Sequence, residues 1–178
     1  LPLPWRGLSD MVRLHTKEVL IVAGAPGSGK STLSVNLAMG VDYPTLYLAQ
    51  DTPASVIARM TAIATGVDVT TAQRNLRQRD MLEEIALKLE EARPTLVLER
   101  KPITVERLKH LVEALSEWIG EAPPLIIVDN LIDLLVPGNT HGEMQFYTTA
   151  IPQIKHIANE YGTCIVRSEE HTSELQSQ

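Results

Sequence analysis

The feature that most constrains this chain is a glycine-rich stretch at residues 24–31, GAPGSGKS. It matches the pattern G-x-x-x-x-G-K-[ST] at every fixed position. In such a stretch the glycines let the backbone curl so that successive N–H groups point inward, toward a phosphate chain. The pattern predicts a strand before the stretch, a helix after it and a phosphate-binding loop between them.

The residues on either side of this stretch fit that arrangement. Residues 19–23 form a continuous apolar run of the kind found in strands that are buried on both faces of a parallel sheet. A glycine turn without a ligand is the alternative, but the strand, the lysine and the hydroxyl together favour a nucleotide site. The helix that begins near Ser31 has one apolar side: Leu33, Val35, Leu37, Ala38 and Val41.

The polar side chains of the stretch have expected roles toward a nucleoside triphosphate. Lys30 is expected to reach the β- and γ-phosphates, and Ser31 to place its hydroxyl on Mg²⁺. Thr32, one residue further, is expected on the α-phosphate side. We therefore predict ATP and Mg²⁺ as cofactors, with a nucleotide site formed by Gly24, Ala25, Pro26, Gly27, Ser28, Gly29, Lys30, Ser31 and Thr32.

Length, apolar content and charge limit the classes that remain. A chain of 178 residues is long enough for one domain with a core and too short for two full ones. No run of about 18 apolar residues occurs, which predicts a cytoplasmic protein without a membrane partner. The single cysteine, Cys164, excludes a disulfide framework. A net charge of −6 gives no general attraction to nucleic acid, so such binding would need a local patch.

Residues 167–178 are set apart from the rest of the chain. Their sequence, RSEEHTSELQSQ, resembles the in-frame translation of a sequencing adapter joined to a gene that is cut off after Val166. We therefore expect a lead-in segment at residues 1–17, an incomplete domain at 18–166 and a non-native tail at 167–178. A genuine polar tail is the alternative, and in neither case do we expect a site there.

Strands alternate with helices along the rest of the chain. This alternation predicts an α/β fold of three layers, with a mostly parallel sheet covered by helices on both faces. Pro152 lies inside the last predicted helix, where we expect a kink or a break. Further strands are predicted at 45–49, 95–99, 125–129 and 164–166, and further helices at 53–65, 68–92 in two pieces, 104–119 and 143–161.

A second nucleotide motif stands at the end of the predicted strand 125–129. The apolar run ends in a carboxylate, Asp129. A carboxylate at the carboxyl end of a buried strand beside a phosphate loop holds Mg²⁺, usually through water and the loop serine. An aspartate that only begins a turn is the alternative. Ser31 and Asp129 are therefore the predicted metal-binding residues.

Hydrolysis also needs a group that prepares the attacking water. In many ATPases a glutamate follows the metal-binding aspartate directly, but this chain has Asn130 there, and a neutral amide cannot take the proton. The other known placement is the end of the neighbouring strand, where Asp51 stands, and Gln50 could share its role. The candidate catalytic residues are thus Lys30, Asp51 and Asp129.

Around these carboxylates the sequence resembles RecA-like ATPases, most closely the ATPase domain of phage and plasmid DnaB-like replicative helicases. Residues 46–53, LYLAQDTP, resemble the stretch in which a strand leads into the catalytic glutamate, whose place Asp51 takes. Residues 129–134 and 154–162 resemble the segments around the next two core strands. The resemblance implies a motor that hydrolyses ATP while moving along single-stranded DNA, as a hexameric ring of identical subunits whose neighbours supply an arginine.

Two departures and two other functions accompany this interpretation. Asp51 is one methylene shorter than the usual glutamate, and the polar sensor and arginine finger are expected beyond Val166.

A non-motor ATPase of the recombinase or clock type stays open, as does a small-molecule kinase with Arg74, Arg77 and Arg79 in its lid. That arginine cluster is otherwise a solvated face or a nucleic-acid contact. DNA contacts are expected within residues 137–145, and the choice between adenine and guanine is open.

Overall fold

The structure is a computed structural model that describes residues 1–49, 52–93, 95–100, 103–129, 134–135 and 143–170. Its strands are β1 (Val19–Gly24), β2 (Thr45–Ala49), β3 (Leu96–Arg100), β4 (Ile103–Thr104), β5 (Leu125–Asp129), β6 (Leu134–Leu135) and β7 (Cys164–Glu170). Its helices are α1 (Arg6–Ser9), α2 (Lys30–Gly40), α3 (Pro53–Thr65), α4 (Val69–Asn75), α5 (Leu82–Ala92), α6 (Val105–Ile119) and α7 (Glu143–Tyr161), with a 3₁₀ turn at Arg79–Met81 before α5.

The described residues form one five-stranded parallel sheet in the order β1-β7-β5-β2-β3. The α/β class and the parallel sheet predicted from the sequence are confirmed. A second, two-stranded parallel sheet joins β4 to β6. This small sheet was not predicted, because strands of two residues are too short to produce a periodic pattern.

The sheet is covered by helices on both faces. Successive residues of a strand point to opposite faces, so an apolar strand needs a cover on each side. Leu46 and Leu48 of β2 lie in one core cluster with α6 and α7. Tyr47 and Ala49, between and after them, lie in the other cluster, with α2 and α3. The three-layer arrangement therefore follows from the apolar residues on both faces of the central strands.

Helix ends and one proline test the local expectations. Thr104 caps α6, since its Oγ1 accepts a hydrogen bond of 3.0 Å from the Arg107 N–H. Gly66 ends α3 at a φ of 72°. Of the kink or break expected at Pro152, the break is wrong, because α7 continues through this residue, and the kink stays a prediction. Buried residues on both sides of the proline, Ala150 and Ile154, hold the helix on the core while Pro152 faces outward.

Both ends of the described chain pack on the domain. Leu14 of the lead-in segment is buried in the same cluster as α2. Strand β7 continues past Val166 to Glu170, and it contains a buried arginine, Arg167, that forms an ion pair with Glu169. The non-native origin of 167–178 stays a prediction, and 171–178 lie outside the described residues. None of the helices in the described ranges is both long and apolar enough to cross a bilayer.

Candidate nucleotide-binding site

The predicted nucleotide residues follow the carboxyl ends of parallel strands. Because β1, β7, β5 and β2 run in the same direction, their carboxyl ends share one edge of the sheet. The phosphate loop leaves this edge after β1, and Asp129 ends β5. Strand β7 lies between β1 and β5, so the strand that ends in Asp129 is not adjacent to the strand that precedes the phosphate loop. Ligands of open α/β sheets bind at such edges.

The loop has the backbone that glycine permits. Gly29 has a φ of 92°, a left-handed value that side chains disfavour, and it is the residue that precedes α2. A Cβ atom on Gly24 would stand only 2.6 Å from the Ser28 Oγ atom. Gly29 occupies the N-cap position of α2 and has no side chain, so among the described residues no N-cap side chain accepts a hydrogen bond from the first N–H groups of α2. The first N–H groups of α2 therefore suit an anion such as phosphate.

Lys30 lies at the same loop. Its Nζ atom donates hydrogen bonds to the carbonyl oxygens of Gly24 and Ala25, each at 2.9 Å. Those two carbonyls belong to the first residues of the loop, so the side chain folds back across it. The ammonium group therefore lies at the loop itself, and its contact with the β- and γ-phosphates stays a prediction.

Asp129 is almost completely buried, with 4% of its surface exposed. Its two carboxylate oxygens each accept a hydrogen bond from a hydroxyl: Oδ2 from the Tyr47 Oη atom at 2.8 Å, and Oδ1 from the Ser168 Oγ atom. A buried carboxylate with hydroxyl donors is held in one orientation. Carboxylate and hydroxyl oxygens are the ligand types that Mg²⁺ takes, so Asp129 and Ser31 fit this ion chemically.

Sequence reasoning missed both hydroxyl donors. Tyr47 lies in an apolar strand, where an aromatic residue indicates only a β-strand. Ser168 belongs to the segment that was set apart as non-native. The hydrogen bond from Tyr47 could be anticipated only from the neighbouring placement of β2 and β5, which the order of the strands along the chain does not reveal.

A groove of about 200 Å³ opens beside the phosphate loop, between α2 and α3. Thr32 belongs both to the predicted nucleotide site and to the lining of this groove. Arg59 of α3 lines it as well, and no sequence signal singled this residue out. The other lining residues are largely apolar: Val35, Asn36, Ala62, Ile63, Val67 and Val69.

Other predicted residues are only partly placed. Asp51 and Gln50 lie outside the described residues, so the catalytic role of Asp51 stays a prediction. The strand that leads to Asp51 is placed: β2 is the neighbour of β5, and Ala49 pairs with Asp129. Most of the proposed DNA-contact segment, residues 137–142, also lies outside the described residues. The three arginines of the basic cluster are exposed on α4 and just after it: Arg74, Arg77 and Arg79.

The phosphate loop between β1 and α2, and the buried carboxylate at the end of β5, define a P-loop ATPase domain of the RecA-like type. The β1-β7-β5-β2 order places one strand between the two motifs. The chain belongs to the AAA_25 family, described as an AAA domain, whose model matches residues 8–177.

Two phage proteins are similar to this chain at low identity. The Gene 65 protein of Mycobacterium phage L5 is 25% identical over 171 residues, covering 93% of this chain and 63% of the phage protein. That of Mycobacterium phage D29 is 27% identical over 150 residues, covering 83% and 64%. This chain therefore spans less than two thirds of either phage protein.

Two solved structures share the fold at low sequence identity. The structure titled "ATPase Domain of G40P" has a TM-score of 0.74 at 14% identity, covering 97% of this chain and 65% of that one. A DnaB-like replicative helicase, solved to study its interactions with primase, has a TM-score of 0.77 at 13% identity, covering 99% and 46%. The fold is thus that of the ATPase domains of DnaB-like helicases.

Proposed function

We propose that this domain binds Mg²⁺–ATP and hydrolyses ATP as the motor part of a ring-forming helicase that acts on single-stranded DNA. The observation that carries the proposal is the shared sheet edge: a glycine loop with its lysine follows β1, and the buried Asp129 ends β5. Phosphate binding and metal support are the two elements that this chemistry requires.

Each residue then has a defined task. The N–H groups at the start of α2 and the Lys30 ammonium group bind phosphate oxygens and offset their negative charge. The Ser31 hydroxyl and the Asp129 carboxylate hold Mg²⁺, which offsets charge on the β- and γ-phosphates when it is bound. Asp51 orients the attacking water, as an acceptor for its proton.

The groove between α2 and α3 is the proposed seat of the nucleoside. Thr32, which directly follows the residues assigned to the β- and γ-phosphates, belongs to its lining. Its lining combines apolar side chains with Asn36 and Arg59. Such a lining suits a flat base whose edge needs a few polar partners.

The proposals of ring formation and of DNA binding are based on structural similarity to other proteins, not on contacts within this chain. Structures with the same fold include a DnaB-like replicative helicase and an ATPase domain. In the proposed ring, a neighbouring subunit supplies the arginine that stabilises the transition state, so an isolated subunit should hydrolyse ATP slowly. A kinase is disfavoured because the exposed arginine cluster lies on α4 and the turn after it, not in a segment shown to cover the loop.

The test is ATP hydrolysis, with and without single-stranded DNA, by a repaired full-length version that continues beyond Val166, measured for the unmodified protein, Lys30→Ala and Asp51→Ala. We expect stimulation by DNA that both substitutions remove. Lys88→Ala and Asp80→Ala serve as matched controls, because both residues lie on the surface around α5. Turnover that ignores DNA would instead indicate a non-motor ATPase, and full activity in Asp51→Ala would place the water-orienting group elsewhere.

A further inference from the structure

We infer that Tyr47 is a positioning residue for the metal site: its hydroxyl fixes the carboxylate of Asp129 in the orientation that binds Mg²⁺. This inference rests on the proposed function, since it assumes that Asp129 supports the metal. Tyr47 would touch neither nucleotide nor metal, and would act only through the carboxylate.

The sheet register explains how the hydroxyl reaches Asp129. Tyr47 pairs with Ile127, and Ala49 pairs with Asp129, so Tyr47 and Asp129 are diagonal neighbours two residues apart in register. Long aromatic side chains span such diagonal positions. The residue directly across from Asp129 on β2 is Ala49, whose methyl group leaves room for the ring. The result is the 2.8 Å hydrogen bond from Oη to Oδ2.

The tyrosine ring is immobilised by its surroundings. Tyr47 has 0% of its surface exposed and belongs to the core cluster that contains α2 and α3. Helix α2 begins at Lys30, so the same cluster supports the phosphate loop. A hydroxyl carried by a packed ring can fix a carboxylate more firmly than one carried by a surface side chain. Tyr47 therefore couples the position of Asp129 to the packing beneath the phosphate loop.

The hydroxyl is the informative atom of this residue. Phenylalanine would fill the same core volume, and a buried tyrosine hydroxyl is costly unless it has a hydrogen-bond partner. Ser168 also donates to Asp129, but it lies in the segment predicted to be non-native. Tyr47 lies in the body of the domain, so the inference uses this residue alone.

The experiment is Tyr47→Phe, measured as the Mg²⁺ concentration that gives half-maximal ATP hydrolysis, together with nucleotide affinity in the absence of Mg²⁺. Loss of a partner that orients a metal ligand typically weakens metal affinity by about 10-fold to 100-fold. We expect half-saturation to rise by about 10-fold or more, with metal-free nucleotide affinity unchanged. Equal half-saturation in the two proteins would overturn the inference.

Tyr161→Phe is the matched control. It removes the same atom from a hydrogen bond of the same kind, since the Tyr161 Oη atom donates to the Glu113 carboxylate at 2.7 Å. That bond joins α7 to α6, away from the phosphate loop. We expect Tyr161→Phe to leave the Mg²⁺ dependence unchanged, and an equal rise in both variants would mean that the effect is general destabilisation.

Asp129→Asn separates failure of this inference from failure of the proposed function. If Asp129 supports the metal, Asp129→Asn by itself raises the Mg²⁺ concentration that gives half-maximal hydrolysis. Adding Tyr47→Phe to it then has little further effect. An unaltered Mg²⁺ dependence in Asp129→Asn would overturn the metal role and with it the proposed site. A strong effect of Asp129→Asn with none from Tyr47→Phe would overturn only the positioning role.

A spectroscopic measurement covers the case in which Tyr47→Phe does not fold. The four tyrosines of the unmodified chain can be replaced by 3-fluorotyrosine and followed by fluorine NMR. With the other three resonances assigned by substitution, we expect the Tyr47 resonance to move when Mg²⁺ and ATP are added, and to stay fixed in Asp129→Asn. A Tyr47 resonance that does not move on addition of Mg²⁺ and ATP in either protein would contradict the inference.

Discussion

Replacing Lys30 with methionine should remove the stabilisation of the domain by ATP while leaving the nucleotide-free fold almost intact. The side chain makes two hydrogen bonds, to the Gly24 and Ala25 carbonyls, in a loop whose residues are largely exposed. Methionine keeps the length of the aliphatic chain but has no charge and no donor. The substitution therefore isolates the ammonium group.

The two expected effects differ in size. One hydrogen bond contributes a net of about 0.5 to 1.5 kcal/mol, so losing two costs at most about 3 kcal/mol, and partial exposure of these two bonds reduces that cost. At a ligand concentration of about 100 Kd, binding stabilises the native state by about 2.7 kcal/mol. For a chain of this size that corresponds to a rise in Tm of about 5 to 11 °C. If the substitution raises Kd by about 100-fold, the remaining stabilisation is about 0.4 kcal/mol, or about 1 °C.

Thermal unfolding followed by circular dichroism, with and without Mg²⁺ and a non-hydrolysable ATP analogue, measures both effects. Lys88→Met is the matched control, because Lys88 lies on the surface of α5, where it forms an ion pair with Glu84. We expect the control to keep the full ligand-induced rise. A full rise in Lys30→Met would refute the phosphate role of this lysine, and a loss above about 3 kcal/mol without nucleotide would show that it is mainly structural.

Three further predictions concern stability. Thr104→Ala removes the cap of α6 and should cost about 1 kcal/mol in chemical denaturation, while Thr104→Ser should restore most of it. Burial raises the pKa of the Cys164 thiol from 9.0 to about 11, so the unfolded chain loses this proton first and stability should fall between these pH values by about 2 to 3 kcal/mol. Cys164→Val should flatten that part of the pH profile, whereas a slope that survives the substitution would assign it to another group. Arg167 is buried and its partner Glu169 is partly exposed; replacing both with valine should leave the unfolding free energy unchanged or higher, while Arg167→Val alone should lower it by about 2 kcal/mol or more, as measured in urea.

Much of the site could be predicted because its chemistry is local in sequence. The loop residues and Lys30 follow one strand without interruption, and Asp129 ends another, so each motif carries its own structural context. The contact between Tyr47 and Asp129 could not be predicted, since the residues are 82 positions apart and meet only because β2 and β5 are neighbours. That neighbourhood depends on how the whole sheet is wound.

Other misses have a similar physical origin. The apolar residues of α5 are divided between the core and the solvent, since 60% of the Leu87 surface is exposed while Ile85 on the same helix is buried. Several leucines on α5 compete for one narrow apolar side, and spacing alone did not decide which of them face the core. Strand β6 consists of Leu134 and Leu135 only, and two residues are too few to produce a periodic pattern.

The sheet order has a consequence for how the chain acquires its site during synthesis. Within the described residues, β1 hydrogen-bonds to β7 and to no other strand. Among the five strands of this sheet, the one that carries the phosphate loop leaves the ribosome first, and the one that pairs with it leaves after the other three. Such distant pairings fold slowly because a long loop must close before any contact rewards it. The nascent chain should therefore gain nucleotide affinity only after residue 164 has left the exit tunnel, and a chaperone that shields β1 until then would raise the yield of folded protein.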